Sequence, residues 1–257
     1  MKKQLVYDLP TRTFHWLFAG LFITAFAIAK TIDDDSPVFA YHMLAGFLLG
    51  FTVLLRLVWG VVGTKYARFA SFALHPPELF AYIKGIVSGD KRRWDGHNPA
   101  SSWAAIIMMG CALGLGITGY LMANGQKERF EDIHELLANG FLVVALFHIA
   151  GVVLHACRHK DGIGMAMLNG QKPELGSNKP IASARPGVAL LFLVLIASFA
   201  MYLSNNYNTQ NQSLQFFGSA LQLGENENDE DKHGAFENDR KKYRETDDDD
   251  YDDDHDD

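Results

Sequence analysis

Three histidines, His134, His148 and His155, occur at intervals of fourteen and seven residues in one apolar segment, 133–156. At about 100° per residue, both intervals return to nearly the same face of a helix. At a rise of 1.5 Å per residue the first two lie about 21 Å apart, most of the depth of a bilayer core of roughly 30 Å. Histidine is costly in an apolar span unless it is paired or bound to something. The spacing therefore predicts two buried imidazole sites at different depths.

Two more histidines lie near the ends of earlier apolar segments, and depth pairs them with the first two. His15 pairs with His148 on one side of the membrane, and His42 pairs with His134 on the other. Two imidazoles on opposite sides of a haem iron leave no open position for oxygen, so such pairs predict two haems that carry electrons. The alternative for any single histidine is an interhelical hydrogen bond of about 1 kcal/mol.

The elements that would position these histidines are five apolar segments, each interpreted as a transmembrane helix. They cover approximately residues 14–29, 41–62, 103–123, 133–156 and 187–203. The segments predict an all-α membrane protein with two buried haems, a fifth C-terminal helix and a disordered acidic tail. The corresponding division is a bundle over 1–175, a cytoplasmic linker over 176–185, the fifth helix over 186–203 and the tail over 204–257.

Charge divides the chain into two unlike parts. Residues 1–203 hold 18 Lys and Arg against 13 Asp and Glu, and residues 204–257 hold 5 against 17, so +5 and −12 give the net charge of −7. Fifteen basic residues lie in the N-terminal segment and the second and fourth connections, against three in the opposite loops. The positive-inside rule then predicts a multi-pass protein of the bacterial cytoplasmic membrane, with a cytoplasmic N-terminus and a periplasmic tail.

The tail has few aromatic residues and many charges, which is typical of disorder. Its simplest interpretation is a solvated segment without a specific role. The alternatives are a docking surface for a basic redox partner and weak metal binding by its aspartates with His233 and His255. No C-x-x-C-H motif occurs in the chain, which excludes a covalently attached c-type haem.

Several polar residues near the histidine pairs have more than one interpretation. Arg12 lies three residues before His15 on the same helix face, where it would neutralise a haem propionate or serve as a positive-inside anchor. His155 is a second inner ligand, a proton donor to a quinone, or an interfacial side chain. His75 and His97 lie in the basic loop and are poor haem candidates. The Gly110–Gly114 spacing favours close helix packing, with room for a porphyrin as the alternative.

Several motifs together resemble one known family, the bacterial diheme cytochrome b561 group, which includes the b-type subunits of nickel–iron hydrogenases. The matching pieces are RTFHW at 12–16, His42, RLVWG at 56–60, GTKYARF at 63–69, GHNP at 96–99, IHE at 133–135 and LAN at 137–139. The resemblance implies a four-helix transmembrane bundle holding two b haems, bound by His15 with His148 and by His42 with His134, to which the fifth helix and the acidic tail are additions. It also implies electron exchange between the quinone pool and a partner protein.

The expected function is therefore transmembrane electron transfer between quinone and an extracytoplasmic partner, such as a c-type cytochrome, a hydrogenase or another dehydrogenase subunit. Any catalysis by the chain alone would be oxidation or reduction of quinone, and no nucleic acid is expected as a partner. One rival is a self-contained oxidase such as a superoxide–quinone oxidoreductase, which would need a cationic outer funnel, whereas the outer loops are acidic. The other rival is a haem-free membrane anchor of a dehydrogenase.

Overall fold

The computed structural model describes residues 3–89, 94, 96–159, 165–173 and 180–224. Within these ranges the chain is mostly helical, with short strands at both ends of a helical bundle. The helices are α1 (Leu9–Thr31), α2 (Ala40–Val62), α3 (Pro76–Ser88), α4 (Pro99–Leu121), α5 (Lys127–His159), α6 (Ala166–Asn169) and α7 (Pro186–Asn206). The strands are β1 (Lys3–Leu5), β2 (Gln171–Pro173), β3 (Tyr207–Asn208), β4 (Ser213–Phe216) and β5 (Ser219–Gln222).

Four helical stretches are long and apolar enough to cross a membrane: Leu9–Thr31, Ala40–Val62, Pro99–Arg158 and Pro186–Asn206. The third is 60 residues long because it contains both α4 and α5. The backbone leaves helical geometry between these two helices, where Gly125 has a φ of 85°, a conformation that glycine adopts without steric cost. Helices α4 and α5 then pack against each other. The prediction of a helical membrane protein is confirmed.

The long helices form a bundle in which α1 packs on α2, α2 on α4 and α4 on α5, while α7 lies against α1 and α2. Small residues allow the close approaches. A Cβ on Gly114 would lie 2.7 Å from Cδ1 of Leu137 on α5, and one on Gly116 would lie 4.0 Å from the Cα of Gly50 on α2. The interpretation of Gly110 and Gly114 as close-packing positions is therefore confirmed at Gly114, but it is wrong at Gly110, where a Cβ would meet no atom within 4 Å.

The near end of the bundle, defined as the end where α1 begins, is closed by the N-terminal strand. Strand β1 pairs antiparallel with β2, so that Gln4 lies opposite Lys172. The segment before α7 joins them, because Ile181 N donates to Leu5 O and Leu9 N donates to Ala184 O. Residues far apart in sequence therefore form one layer across the near end.

The far end, at the opposite side of the bundle, is covered by an antiparallel sheet in the order β3–β4–β5. Leu214, Leu221 and Leu223 are buried there with Leu203 of α7. The prediction of a disordered tail from residue 204 is therefore wrong for 204–224. Residues 204–224 carry no charge, whereas residues 225–257 are highly charged. Alternate side chains of a strand point to the same face, and the leucines of these strands pack on the apolar far end of the bundle. Residues 225–257, including His233 and His255, lie outside the described residues.

Candidate functional site

The far histidine pair joins α2 to α5. His42 lies in the first turn of α2, and His134 lies in the second turn of α5. Their ring centroids are 6.0 Å apart, and the ring planes are inclined by 66°. The structure therefore brings together the two residues that depth had paired at this end.

Hydrogen bonds fix which nitrogen of each far imidazole holds the proton. His42 Nδ1 lies 2.8 Å from Ala25 O, and because a carbonyl only accepts, this nitrogen donates. His134 Nδ1 lies 2.8 Å from Thr118 Oγ1, which donates its own proton to Gly114 O at 2.8 Å and therefore accepts from the imidazole. Each Nε2 consequently keeps its lone pair. This is the state in which histidine binds a metal, with the other ring nitrogen held by a hydrogen bond.

The near histidine pair joins α1 to α5. His15 lies in the second turn of α1, and His148 lies in the second half of α5, close enough for the two imidazoles to interact electrostatically. His15 Nδ1 is buried and has no hydrogen-bond partner among the described residues. A buried polar atom without a partner is rare and indicates a missing ligand or water.

An aromatic stack occupies the depth between the two pairs. Phe141 is seven residues from both His134 and His148 on α5, and its ring centroid is 3.7 Å from that of Phe22 on α1. The ring centroid of Phe18, one turn before Phe22, lies 5.3 Å from that of Phe141. These rings belong to the main core of the bundle. The two histidine pairs are therefore separate sites with a packed apolar layer between them.

Buried basic groups lie around the near pair. Arg56 is 3% exposed, and Lys172 is 5% exposed. His97 has a pKa lowered to about 3 by burial, and by the neighbouring Lys172, Arg56, His148 and His15. Arg12, four residues after the α1 cap, has a buried Nε without a hydrogen-bond partner among the described residues.

Sequence reasoning missed the positions of Arg56 and His97. Arg56 was counted among the basic residues of a loop, although it lies inside the apolar segment 41–62, where an arginine is costly and marks function. That cost was the available signal. His97 was set aside with His75 as a poor candidate, and no local pattern would have placed it beside His148.

A cavity of about 180 Å³ opens at the near end between α3 and the end of α5. His155 and Arg158 line it from α5, Glu78 and Tyr82 line it from α3, and Trp94 lies beside them. Arg158 Nη1 donates to Ile86 O at 2.6 Å. Burial raises the pKa of Tyr82, although the positive charge of Arg158 acts in the opposite direction. The phenol of Tyr82 is therefore protonated. His155 therefore faces a polar pocket, two helical turns after His148.

Comparison with known proteins identifies the class that this bundle and its paired histidines define. The family described as prokaryotic cytochrome b561 matches residues 6–170, which include all four paired histidines. The chain belongs to this family. Its members are b-type cytochromes, so haem b is the cofactor and membrane electron transport is the class of function.

Individual relatives are more distant. The chain is 30% identical over 77 residues to the probable Ni/Fe-hydrogenase 1 B-type cytochrome subunit of Escherichia coli K12, covering 24% of this chain and 33% of that protein. It is 22% identical over 213 residues to the probable Ni/Fe-hydrogenase B-type cytochrome subunit of Rhizobium leguminosarum bv. viciae, covering 65% of this chain and 87% of that one. The match spans about a third of the length of the Escherichia coli subunit. No solved structure matches the chain significantly.

Proposed function

We propose that the chain binds two b haems, one between His42 and His134 and one between His15 and His148, and transfers electrons across the membrane between quinone and an extracytoplasmic protein. The far histidine pair carries this proposal. An imidazole nitrogen binds a metal such as zinc at about 2.0–2.1 Å, so two imidazoles with ring centres about 6 Å apart would leave room for one metal ion between them. The observed separation is 6.0 Å. Both imidazoles also keep a lone pair on Nε2.

The far pair has room for a flat group, and the near pair has unused donors that suit the carboxylates of such a group. Gly46 lies one turn after His42, and a Cβ there would meet no atom within 4 Å, which leaves room beside the imidazole. At the near pair, the buried Nδ1 of His15 and Nε of Arg12 lack partners among the described residues. We assign Arg12 to a haem propionate at this site. Haem b would supply one-electron chemistry here, and two histidine ligands would leave no position on its iron for oxygen.

Electron transfer across the membrane requires the two histidine pairs to lie towards opposite sides of it. We infer five crossings, because the stretch Pro99–Arg158 reverses at Gly125 and so counts twice. Charge supports a cytoplasmic near end: three basic residues, Lys30, Lys127 and Arg129, flank the far loops, two of them in ion pairs with Glu135 and Asp34. The far pair and the sheet β3–β5 then face the outside, which we propose to be the periplasmic side of a bacterial inner membrane.

Quinone is the proposed membrane substrate, and the near-end cavity is its proposed site. His155 lies two turns beyond His148, and the protonated phenol of Tyr82 lines the same cavity. A quinone accepts two electrons and two protons, so imidazole and phenol groups next to a haem site have the chemistry that its reduction requires. This assigns His155 to proton transfer with quinone.

The partner outside the membrane is proposed from the relatives. Both are named as cytochrome subunits of nickel–iron hydrogenases, which favours a hydrogenase as partner, with a c-type cytochrome as the second candidate. Electrons from such a partner would enter at the far pair and leave to quinone at the near end.

The test is haem stoichiometry in purified protein. We expect low-spin b bands in the reduced-minus-oxidised spectrum and two haems per chain. His42→Ala and His148→Ala should each leave one haem, and the double variant none. His75→Ala is the matched control: because His75 is exposed, this variant should keep both haems. A wild-type spectrum without b bands, or two haems in the double variant, would overturn the proposal.

A further inference from the structure

Two cations lie buried at the near end without an ion pair among the described residues. Arg56, on α2, is 3% exposed, and its Nη2 donates to Ala67 O at 2.9 Å. Lys172, on β2, is 5% exposed, and its Nζ donates to Gly96 O at 2.6 Å. The other contacts of these cations are the faces of aromatic rings, Phe14 and Phe69 for Arg56 and Tyr7 for Lys172.

The only fully buried carboxylate in the described part of the chain does not satisfy them. Asp8 attracts Arg56 electrostatically, but its oxygens accept from Thr11 N, Trp59 Nε1 and Thr64 Oγ1. The ion pairs among the described residues, Lys30–Glu135 and Lys127–Asp34, lie at the far end. An uncompensated buried charge is costly, so the two cations favour a bound anion in their vicinity.

Unused donors show where that anion would bind. Arg56 Nη1 and His97 Nδ1 are buried and have no hydrogen-bond partner among the described residues. His97 directly follows Gly96, whose O accepts from Lys172, and its ring centroid is 5.3 Å from that of Tyr7, the ring that Lys172 faces. The charges of Arg56, Lys172, His148 and His15 also act on His97. The cations, the unused donors and the near histidine pair therefore form one neighbourhood. We call Arg56, His97 and Lys172 the near cationic cluster.

We propose that the near cationic cluster binds the two propionate carboxylates of the haem held by His15 and His148, and that its charge sets the potential of that haem. This rests on the proposed function, because it requires a haem at the near pair. Together with Arg12, assigned above to a propionate of this haem, Arg56 and Lys172 supply three positive charges to a group that carries two negative ones. Arginine matches the planar shape of a carboxylate, and a charge-assisted hydrogen bond of this kind is about twice as strong as a neutral one. Arg56 and His97 act here as positioning residues rather than as iron ligands.

The first test is a redox titration that resolves the two haems. Removing a positive charge beside a haem stabilises the oxidised iron, so Arg56→Met should lower one of the two midpoint potentials and leave the other unchanged. We expect the equilibrium constant for reduction to fall at least tenfold, which is about 59 mV for one electron. Arg56→Lys keeps the positive charge, so its midpoint potential should stay close to that of the wild type. If Arg56 had a purely structural role, the midpoint potential would not depend on the charge at this position.

Arg68→Met is the matched control, because it removes the same charge from an exposed position in the following loop. An equal shift in Arg68→Met, or unchanged midpoints in Arg56→Met at full haem content, would overturn the proposal. If Arg56→Met does not fold, the same redox titration is carried out on Lys172→Met, for which the same shift of one midpoint potential is expected. Failure of the proposed function differs in kind, since the wild type itself would then show no low-spin haem.

The second test identifies the anion. Apoprotein is loaded with haem b or with its dimethyl ester, in which both carboxylates are neutral. The wild type should bind the ester at least tenfold more weakly at the near site, and Arg56→Met should lose most of this difference. If the wild type binds both forms equally, the cluster holds another anion, such as inorganic phosphate or a lipid headgroup, and the proposal is wrong.

Discussion

The rings of Phe22 and Phe141 stack with their centroids 3.7 Å apart and their planes inclined by 18°. Phe22 lies on α1 and Phe141 on α5, halfway in sequence between His134 and His148. This contact holds together the two helices that contribute the near histidine pair. Phe141 is 2% exposed, so the stack forms a dry layer between the two sites.

Phe141→Ala should therefore destabilise the bundle. Removing a buried phenylalanine leaves a cavity and costs about 3–5 kcal/mol, which unfolding in mixed detergent micelles would measure. Phe147→Ala is the control on the same helix, since Phe147 is 75% exposed and should change stability by about 0.5 kcal/mol or less. Equal stability of the two variants would contradict the stack as a structural contact.

Thr118→Val removes the acceptor of His134 Nδ1 while keeping the shape of the side chain. Losing such a supporting hydrogen bond to a metal-bound histidine typically costs 10- to 100-fold in metal affinity or activity. We expect haem at the far site to dissociate faster by a factor of this order, measured by transfer to apomyoglobin. Thr52→Val is the matched control, because Thr52 is a buried helical threonine that donates only to Leu48 O. Identical dissociation in the two variants would argue against ligation by His134.

Asp8→Asn should lower the stability of the near end. Asp8 is fully buried, and one of its oxygens accepts both from Trp59 Nε1 at 3.1 Å and from Thr64 Oγ1 at 2.6 Å. An amide that turns its NH₂ group towards these donors leaves them unsatisfied, at about 1–3 kcal/mol. Thermal unfolding would measure the loss. Asp33→Asn, in an exposed loop, provides the comparison, and an equal effect there would refute the role of this network.

The far-end sheet should be needed for stability, and the acidic segment after it should not. A chain ending at Gly224 should keep its melting temperature, because no residue of the sheet is removed. Leu214→Ala in the full chain should cost about 2–5 kcal/mol, since Leu214 is fully buried. Phe217→Ala serves as control at 76% exposure. A melting temperature unaffected by Leu214→Ala would mean that the sheet does not stabilise the bundle.

His155→Ala should slow quinol-dependent reduction of the protein without changing its haem content. Loss of a group that moves a proton in the reaction costs roughly 10²-fold or more in rate. The measurement is stopped-flow haem reduction by a soluble quinol, with His75→Ala as the control. An unchanged rate would exclude His155 from quinone chemistry, and a loss of haem would instead make it a ligand.

Features that depend on a local sequence pattern could be predicted from the sequence. Features that depend on contacts between distant parts of the chain could not. The apolar segments and histidine spacing located the helices and the far pair, because both follow from helical periodicity. The sheet β3–β5 was missed, since its strands are at most four residues long and their composition was averaged with the acidic segment that follows. The near cationic cluster was missed because Arg56, His97 and Lys172 come from three separate parts of the chain, and only the closed near end brings them together.

The closed near end also fixes an order of assembly. The far pair is complete once residue 134 has left the ribosome. The near site needs His148, then Lys172 on β2, and finally the segment at Ile181 that bonds to Leu5. If both pairs bind haem as proposed, the far site can receive its haem during synthesis while the near site still lacks a wall. A nascent chain stalled after α5 would then hold one haem, and the pairing of β2 with β1 and the bond from Ile181 to Leu5 would determine when the second can bind.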